Sequence, residues 1–342
     1  MMAAVPAIAR EAGEAADAAR QQIARCAGRF AELGARLRRQ PPRLVATCAR
    51  GSSDHAASYG KYLIETTLGR PVASVGPSIA SVYHRPLAFG DCLFVAVSQS
   101  GRSPDLLGLT EAARAGGALV VGVVNDEASP LAERCDIALP LCAGAETSVA
   151  ATKSFLLSGL AFLQLVAHWS GDPGLADCVV RFPDALAAAS RLDWWPQLQP
   201  LAGATSAYVL GRGPGLGAAL EVALKLKETC QLHAEAFSTA EMLHGPLALI
   251  DPGFPVLAVG QEDSAAATTR STLARLVALG AKVRSTLEVP GAEPLPTLAS
   301  APPVIAPLCQ VQSFYMAVHR LAIARDLDPD APAHLRKVTE TL

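Results

Sequence analysis

The segment Val95–Asp105, with the sequence VAVSQSGRSPD, combines small polar side chains in a pattern suited to anion binding. The apolar run Leu93–Val97 before it predicts a buried strand, and Pro104 and Asp105 are start signals for a helix. A helix N-terminus offers free backbone N–H groups and a positive dipole end, which suit a phosphate. An ordinary strand–helix turn is the alternative. The candidate phosphate ligands in this loop are Ser98, Gln99, Ser100 and Ser103.

A second stretch of the chain has the same organisation. The apolar run 43–48 predicts a strand, Arg50-Gly51-Ser52-Ser53-Asp54 follows it, and a helix pattern continues to about residue 68. Ser52 and Ser53 therefore occupy the same place after a strand as the serines of the first loop. We expect them to share in binding the phosphate, with a turn or helix cap as the alternative role.

Three similarities at nearly one spacing indicate an internal duplication. Arg50-Gly51 recurs as Arg212-Gly213, Val95–Gln99 recurs at the same offset as Leu257–Gln261, and Gly117-Ala118 recurs at almost that offset as Gly280-Ala281. Alternating strands and helices predict mostly parallel sheets flanked by helices, in which ligands bind at the carboxyl ends of the strands. Where the first copy has Ser52, Ser98 and Ser100 just past strand ends, the second copy has Gly213-Pro214 and Gly260, so we expect only the first copy to bind the phosphate.

Composition and charge narrow the function classes. The chain has 342 residues, of which 51% are hydrophobic and 18% charged, and its formal net charge is −2. These values are typical of a globular protein with two domains. The absence of a basic run argues against nucleic acid as a partner. No apolar run reaches the roughly 18 residues of a membrane span, and the N-terminus lacks a signal-peptide pattern, so we expect a cytoplasmic protein.

Cysteine and histidine spacing argues against a metal site. None of the eight cysteines forms a C-x-x-C pair, and the seven histidines show no H-x-x-x-H or H-x-x-E-H spacing. We expect reduced, buried thiols, no metal and no cofactor.

Hydrophobic periodicity and breakers predict the remaining elements. One helix is predicted over 7–39, a long apolar helix over 154–168, and another helix over 174–190. In the second half the predicted helices span 217–231, 265–279 and 311–325, and the predicted strands span 208–210, 254–259, 281–284 and 303–305. The predicted organisation is an N-terminal helix (1–42), a first α/β domain (43–172), a linker helix (173–200), a second α/β domain (201–326) and a C-terminal tail (327–342).

The motifs resemble those of the sugar isomerase (SIS) domain family. Gly51-Ser-Ser53 and Ser98-Gln-Ser-Gly101 each follow a predicted strand, as in SIS domains. From about residue 43 to the C-terminus the chain also resembles the isomerase half of glucosamine-6-phosphate synthase. The segments that carry this second resemblance are Ala223–Glu228, His233–Ala236, Glu241–Ile250 and Asp328–Leu342. The resemblance implies two tandem SIS domains, each a flavodoxin-like three-layer α/β/α structure, plus a C-terminal tail.

The resemblance also implies roles for individual residues. Glu228 would move a proton between C1 and C2 of the open sugar, although a lone helical glutamate is more often a solvated charge. His244 would open the sugar ring and would be supplied by the partner subunit of a homodimer. Lys337 would close over the sugar and could form a Schiff base. Lys225 would contact the sugar or pair with Glu228, and the remaining implied positions are Ala151 in the sugar site and Lys153 near the phosphate or as a helix cap.

The chain begins Met1-Met2-Ala3, without the catalytic cysteine that opens the glutaminase half of the synthase. We therefore expect the reverse reaction, in which glucosamine 6-phosphate and water give fructose 6-phosphate and ammonia. The segments Ser52–His55, Ser100–Asp105, Ser148–Lys153 and Lys337–Thr339 resemble SIS-type glucosamine-6-phosphate deaminases. The alternatives are another phosphosugar aldose–ketose isomerase, a fructosamine-phosphate deglycase, and a non-catalytic sugar-phosphate sensor.

Overall fold

Ten parallel strands form two five-stranded sheets in the computed structural model, which describes residues 5–337. The first sheet has the order β2-β1-β3-β4-β5, and every neighbouring pair is parallel. This is the flavodoxin-like order, with a topological switch point between β1 and β3. Its strands are β1 (Leu44–Cys48), β2 (Val72–Ser74), β3 (Cys92–Ser98), β4 (Leu119–Val124) and β5 (Ile137–Pro140).

The second sheet repeats the topology of the first. Its order, β10-β9-β8-β6-β7, is the same pattern followed from the other edge, and its neighbouring strands are also parallel. The first strands of the two sheets begin at Leu44 and Ser206. The offset between these residues equals the offset between Arg50 and Arg212, so the predicted duplication is confirmed. Its strands are β6 (Ser206–Gly211), β7 (His233–Ser238), β8 (Pro255–Ala258), β9 (Lys282–Ser285) and β10 (Glu293–Pro294).

Helices connect the strands of both sheets, as expected for parallel β-α-β units. Helix α7 is buried nearly all round, whereas most other long helices bury one face. The helices of the first half are α1 (Ala7–Gly13), α2 (Ala15–Arg39), α3 (Ser52–Leu68), α4 (Ser78–Ser81), α5 (Pro104–Ala115), α6 (Pro130–Arg134) and α7 (Lys153–Ser170). Those that follow are α8 (Pro173–Ala189), α9 (Trp195–Leu198), α10 (Gly215–Cys230), α11 (Ala266–Ala278) and α12 (Ala306–Ala324).

The chain divides into two compact units, each with its own hydrophobic core. The first unit comprises Asp17–Glu146, Lys153–Arg181 and the described tail residues Arg336 and Lys337, with Phe94, Leu109 and Val120 in its core. The second unit comprises residues 5–16, Thr147–Thr152 and Phe182–Leu335. Residues such as Leu210, Val256 and Leu273 form its core. The protein is thus an α/β protein with two parallel sheets flanked by helices, as the sequence predicted.

Several predicted elements differ from the structure. The helix predicted over 7–39 is interrupted at Glu14, which separates α1 from α2. The strand predicted over 303–305 is wrong: these residues form a turn before α12, where Pro302 and Pro303 lack the N–H groups that a strand ladder needs. The last strand of the second sheet is instead the two-residue β10, and β7 was not predicted. The ends of the predicted N-terminal helix region (1–4) and tail (338–342) lie outside the described residues.

Candidate functional site

Two serine-bearing loops lie side by side at the carboxyl edge of the first sheet. Strands β1 and β3 are neighbours in parallel register, with Cys48 opposite Ala96. The loop after β1 leads into α3 at Ser52, and the loop after β3 leads into α5 at Pro104. Each loop therefore ends at a helix N-terminus, and both lie at the switch point where α/β sheets bind ligands. The six predicted phosphate ligands lie on the segments that follow these two neighbouring strands: Ser52, Ser53, Ser98, Gln99, Ser100 and Ser103.

Internal hydrogen bonds hold the loop after β3 in a tight turn. Ser98, only 7% exposed, accepts a hydrogen bond at Oγ from the Gly101 N–H at 3.0 Å. Gly101 has φ +63°, and a Cβ there would clash with the Ser129 hydroxyl. Glycine is thus needed both for the left-handed backbone and for the close approach to Ser129. The turn is therefore held by contacts within the protein.

An ion pair joins the two loops. The Arg50 guanidinium donates to one carboxylate oxygen of Asp105 from Nη2 at 2.7 Å and from Nε at 3.1 Å. Asp105 is completely buried in the first turn of α5, whereas the Arg50 side chain is about half exposed, at 52%. The pair fixes the loop after β1 against the start of α5 and leaves a cation at the serine-bearing edge. Burial also raises the pKa of nearby Asp54, against the lowering effects of His55 and Arg50.

Helix α10 of the second unit carries a buried charged array. Lys225 is completely buried and lies 3.3 Å from the carboxylate of Glu221 and 2.5 Å from that of Glu228. Burial alone lowers the pKa of Lys225, but Glu221 and Glu228 raise it more, so it lies above its ordinary value. The Tyr315 hydroxyl donates to Glu221 at 2.7 Å. Lys225 therefore pairs with Glu228, as one of the two sequence interpretations had it.

The two carboxylates of the array differ in exposure. Glu221 is fully buried, whereas Glu228, one turn from Lys225 on the same helix, keeps 20% of its side chain exposed. Because only Glu228 has access to the surface, it is the member of the array that can exchange a proton with a small molecule.

His244 lies on the surface of the second unit. It follows the 3₁₀ turn Glu241–Leu243, and its N–H donates to the Glu241 carbonyl at 2.9 Å. The imidazole is exposed, and Leu243 and Leu249 beside it are 39% and 63% exposed. Gly245 follows with φ +142°, a conformation that requires glycine. His244 thus sits in a glycine turn among exposed apolar side chains.

The tail lysine pairs with a buried carboxylate of the first unit. Lys337 Nζ lies 3.3 Å from Glu146, whose side chain is fully buried. Glu146 also accepts hydrogen bonds from Ser154 Oγ at 2.7 Å and from the Ser154 N–H at 3.3 Å. Lys153, for which the sequence predicts a place near the phosphate or a helix-capping role, is the first residue of α7 and is 2% exposed.

A buried glutamate on α1 holds the segment Thr147–Thr152 within the second unit. Glu11, 3% exposed, accepts from the Thr147 N–H at 2.6 Å, from the Thr147 hydroxyl at 2.7 Å and from the Ser148 N–H at 3.3 Å. The Asp330 carboxylate in turn accepts from the N–H groups of Ala7 and Ile8, which begin α1. Ala151, the predicted sugar contact, is half-buried in this segment.

Sequence reasoning missed several residues that hold these groups in place. Glu221 had a detectable signal, because it precedes Lys225 by four residues on one helix face. The pairing of Arg50 with Asp105 joins residues 55 apart, that of Glu146 with Lys337 residues 191 apart, and that of Glu11 with Thr147 residues 136 apart. No local pattern indicates such partners.

Other features of the described chain bear on its chemistry. All eight cysteines are free thiols, and six of them are buried. Within residues 5–337 no group of three or more His, Cys, Asp or Glu side chains could hold a metal ion. In the same range, no helix combines the length and the hydropathy that crossing a membrane requires.

Comparison with known proteins identifies the family. The model of the SIS domain matches residues 41–168 and 200–287, which contain the whole first sheet and β6 to β9 of the second. The chain belongs to the SIS domain family, and its two sheets are two SIS domains.

Among curated proteins, the chain is 35% identical over 310 residues to glutamine–fructose-6-phosphate aminotransferase (isomerizing) from Aeropyrum pernix. The match covers 84% of this chain and 49% of that protein, so the chain spans about half the length of this relative.

Two solved structures are also similar. A candidate phosphosugar isomerase from Silicibacter pomeroyi DSS-3 is 43% identical, with a TM-score of 0.91 over 95% of this chain and 100% of that chain. Glucosamine-6-phosphate deaminase from Thermotoga maritima shares the fold at 23% identity, with a TM-score of 0.71 over 95% of this chain and 100% of that one.

Proposed function

We propose that this chain is a phosphosugar isomerase of the SIS type, and that its reaction is the deamination of glucosamine 6-phosphate. The observation that carries the proposal is the array on α10. A completely buried lysine, Lys225, lies between two carboxylates, and one of these carboxylates, that of Glu228, is partly exposed. Isomerisation of a sugar requires a proton to move between C1 and C2, and a positioned carboxylate can take and return it.

The loops of the first unit support a phosphorylated substrate. They offer hydroxyls, the N-termini of α3 and α5, and the Arg50 guanidinium at one edge of the sheet. The similarity to a candidate phosphosugar isomerase and to an aminotransferase of fructose 6-phosphate agrees with a sugar phosphate as the ligand.

In the proposed reaction, His244 assists opening of the glucosamine 6-phosphate ring to the free aldehyde. Glu228 then removes the proton from C2 while the C1 oxygen takes up a proton, which gives an enolamine. Glu228 returns a proton to C1 as the nitrogen gives one up, so that the 2-amino aldehyde becomes a 2-imine with a hydroxymethyl group at C1. Water adds to the imine carbon, the C–N bond breaks, and ammonia and fructose 6-phosphate leave. Lys337 acts on the sugar carbonyl as a cation or as a nucleophile.

We also propose that the active form is a homodimer in which His244 serves the partner's substrate. The exposed leucines beside His244 are of the kind that an interface covers. Mixing His244→Ala with Glu228→Gln subunits tests this. Random assortment regenerates one intact site in half of the dimers, hence about one quarter of wild-type activity, if His244 acts across the interface. Activity that stays at the level of the single variants would overturn this arrangement.

A substrate panel with ammonia detection tests the reaction. We expect glucosamine 6-phosphate to give equimolar fructose 6-phosphate and ammonia, and Glu228→Gln to abolish both products. Binding of the sugar phosphate without turnover would instead identify a sensor. If the protein neither binds nor converts the sugar phosphate, the proposal is wrong.

An aldose–ketose isomerase that releases no ammonia is the second candidate. It is favoured by the 43% identity to the candidate phosphosugar isomerase from Silicibacter pomeroyi. The same panel separates the two, because a plain isomerase interconverts phosphosugars with no amino group and leaves glucosamine 6-phosphate unchanged.

A further inference from the structure

Two thiols of the first unit meet at one backbone carbonyl. The Cys26 thiol, on α2, donates to the carbonyl oxygen of Pro140 at 3.5 Å, and Pro140 is the last residue of β5. The Cys142 thiol, just beyond Pro140 in the chain, donates to the same oxygen at 3.9 Å. One oxygen atom therefore holds together two sulfur atoms that come from distant parts of the chain.

The two thiols also act on each other. Burial raises the pKa of Cys26 to about 12, and the Cys142 thiol is the second cause of this rise, whereas Arg29 and Arg25 oppose it. Such an effect requires neighbouring sulfurs, because Coulomb interactions weaken with distance. All eight cysteines lie in the described part of the chain, and for the six others with a raised pKa no second thiol is among the causes.

The two thiols differ in their access to solvent. Cys26 is completely buried, whereas Cys142 is half-buried in the loop after β5. Cys142 has φ +57°, a left-handed backbone conformation that is costly for a residue with a Cβ. Strain of this kind is concentrated at functional sites. A small reagent in solvent therefore reaches Cys142 first, while packing protects the Cys26 thiol.

The surroundings of the pair tolerate the loss of both S–H groups. Gln22, also completely buried, donates from Nε2 to the Pro140 carbonyl at 3.4 Å and to the Leu157 carbonyl at 3.1 Å. The Pro140 oxygen therefore keeps a donor when neither sulfur carries a hydrogen. A disulfide has no charge and no hydrogen-bond donor, so its burial leaves no polar donor unsatisfied.

We propose that Cys26 and Cys142 form a redox site, which closes to a disulfide when a peroxide oxidises Cys142. The Cys142 thiolate attacks the peroxide, an S–O bond forms, the O–O bond breaks, and the hydroxide released takes up the proton that the thiol lost. The Cys26 sulfur then attacks the sulfenic sulfur, an S–S bond forms, the S–O bond breaks, and the oxygen leaves as water with the Cys26 proton. In total, two thiols are oxidised to one disulfide and hydrogen peroxide is reduced to two waters.

The disulfide restrains a segment that carries a functional contact. Cys142 begins the stretch that ends at Glu146, the buried partner of the tail lysine. Asn125 already holds this stretch, since it accepts from the Ala143 N–H and donates to the Gly144 carbonyl, both at 2.9 Å. Oxidation ties the same stretch covalently to α2. The proposal goes beyond the proposed function and does not depend on it, because the disulfide is detected without substrate.

Peroxide treatment of the reduced full-length chain tests the proposal, followed by alkylation, tryptic digestion and mass spectrometry. Trypsin releases Cys26 in the peptide 26–29 and Cys142 in the peptide 135–153. We expect most chains to yield these two peptides joined, lighter by two hydrogen atoms than the separate thiol peptides, and dithiothreitol to separate them. The oxidised protein should also melt at a higher temperature than the reduced protein, because the cross-link restricts the unfolded chain.

Two matched variants identify the partner of Cys26, since the peptide 135–153 also contains Cys135. Both Cys135 and Cys142 are half-buried. Cys142→Ser should lose the joined peptides and the rise in melting temperature, whereas Cys135→Ser should keep both. In Cys26→Ala the Cys142 sulfenic acid has no thiol to attack it, so dimedone should label Cys142 in this variant and not in the wild type.

Three results would overturn the proposal. The first is a wild-type chain in which peroxide leaves both thiols open to alkylation. The second is oxidation of Cys142 while Cys26 remains a free thiol. The third is a link to Cys26 that persists in Cys142→Ser.

Discussion

Lys337 and Glu146 form an ion pair, 3.3 Å between Nζ and a carboxylate oxygen, although 191 residues separate them in the chain. Glu146 is buried and is anchored by Ser154 at the start of α7, whereas the lysine side chain remains 24% exposed. The last described residue of the chain is therefore fixed by a carboxylate of the first unit and still has access to solvent.

Glu146→Gln should weaken this placement. A partly exposed ion pair contributes up to about 1 kcal/mol, so we expect kcat to fall roughly fivefold. Lys337→Met should lower kcat far more, because it removes the amine itself. Arg336→Met, at the exposed neighbouring position, is the control and should leave kcat unchanged. Wild-type kinetics in both Glu146→Gln and Lys337→Met would show that the pair serves neither binding nor catalysis.

Glu228→Gln should stop proton exchange without unfolding the protein. Lys225 keeps Glu221 as a partner in this variant, so the melting temperature should change little. General acid–base catalysis contributes about 10²–10⁴-fold, and kcat should fall by that factor. The measurement is incorporation of solvent deuterium into the sugar, followed by NMR. Glu235→Gln, an exposed glutamate on β7, should exchange at the wild-type rate; equal exchange in Glu228→Gln would remove this residue from the mechanism.

Lys225→Met should destabilise the second unit. The substitution leaves Glu221 buried without its cation, and breaking a buried pair costs about 3–5 kcal/mol. Urea unfolding measures the loss, and Lys227→Met, at an exposed position of the same helix, should cost less than about 0.5 kcal/mol. Adding Glu221→Leu to Lys225→Met should recover part of the stability, because the buried carboxylate that lost the Lys225 ammonium is then gone. An unfolding free energy equal to that of wild type in Lys225→Met would contradict the pairing.

Ser98→Ala and Ser100→Ala should weaken binding of the phosphorylated substrate. Each hydrogen bond to a charged group contributes about 1.5–3 kcal/mol, so we expect KM to rise tenfold or more. Ser98→Ala also removes the acceptor of the Gly101 N–H and should have the larger effect. Ser264→Ala, in the corresponding loop of the second unit, is the matched control with no expected change. If KM moved equally in all three variants, the loop after β3 would not be the phosphate site.

Alkaline pH should destabilise the fold. Burial raises the pKa of Cys26, Cys135 and Cys309 to about 12. Burial and, to a smaller extent, Asp105 raise the pKa of Cys48 to about 12 as well. In the unfolded chain these thiols titrate near 9.0. Between these values the unfolded state loses protons that the folded state keeps, so the free energy of unfolding falls as pH rises.

The raised pKa of Lys225 acts in the same direction above its ordinary value of 10.5. Urea unfolding at about pH 8 and about pH 10 measures the alkaline effect, and equal stability at both would contradict burial of the thiols. The folded protein should also react slowly with a thiol reagent and quickly once urea is added.

The sequence by itself determined the duplicated α/β design. Runs of buried apolar residues such as Leu93–Val97, followed by serines and a proline-started helix, specify a strand, a loop and a helix through local preferences alone. The recurrence of Arg50-Gly51 and Val95–Gln99 at one common offset then required two sheets of one topology. The location of the serines after β1 and β3 at one edge of the sheet was predictable, because parallel strands place their carboxyl ends at the same edge.

Only the tertiary structure decided which charges meet. No local sequence pattern around Asp105 indicates that it is buried against Arg50, and none around Glu146 indicates that Lys337 pairs with it. Such pairs depend on how distant segments pack. The difference between Glu221 and Glu228 is likewise a matter of burial: both lie on α10 beside Lys225, but packing encloses the first and leaves the second partly open. The amino-acid composition could not reveal which of the two carboxylates is enclosed, because the free-energy cost of burying a charge depends on the surrounding atoms.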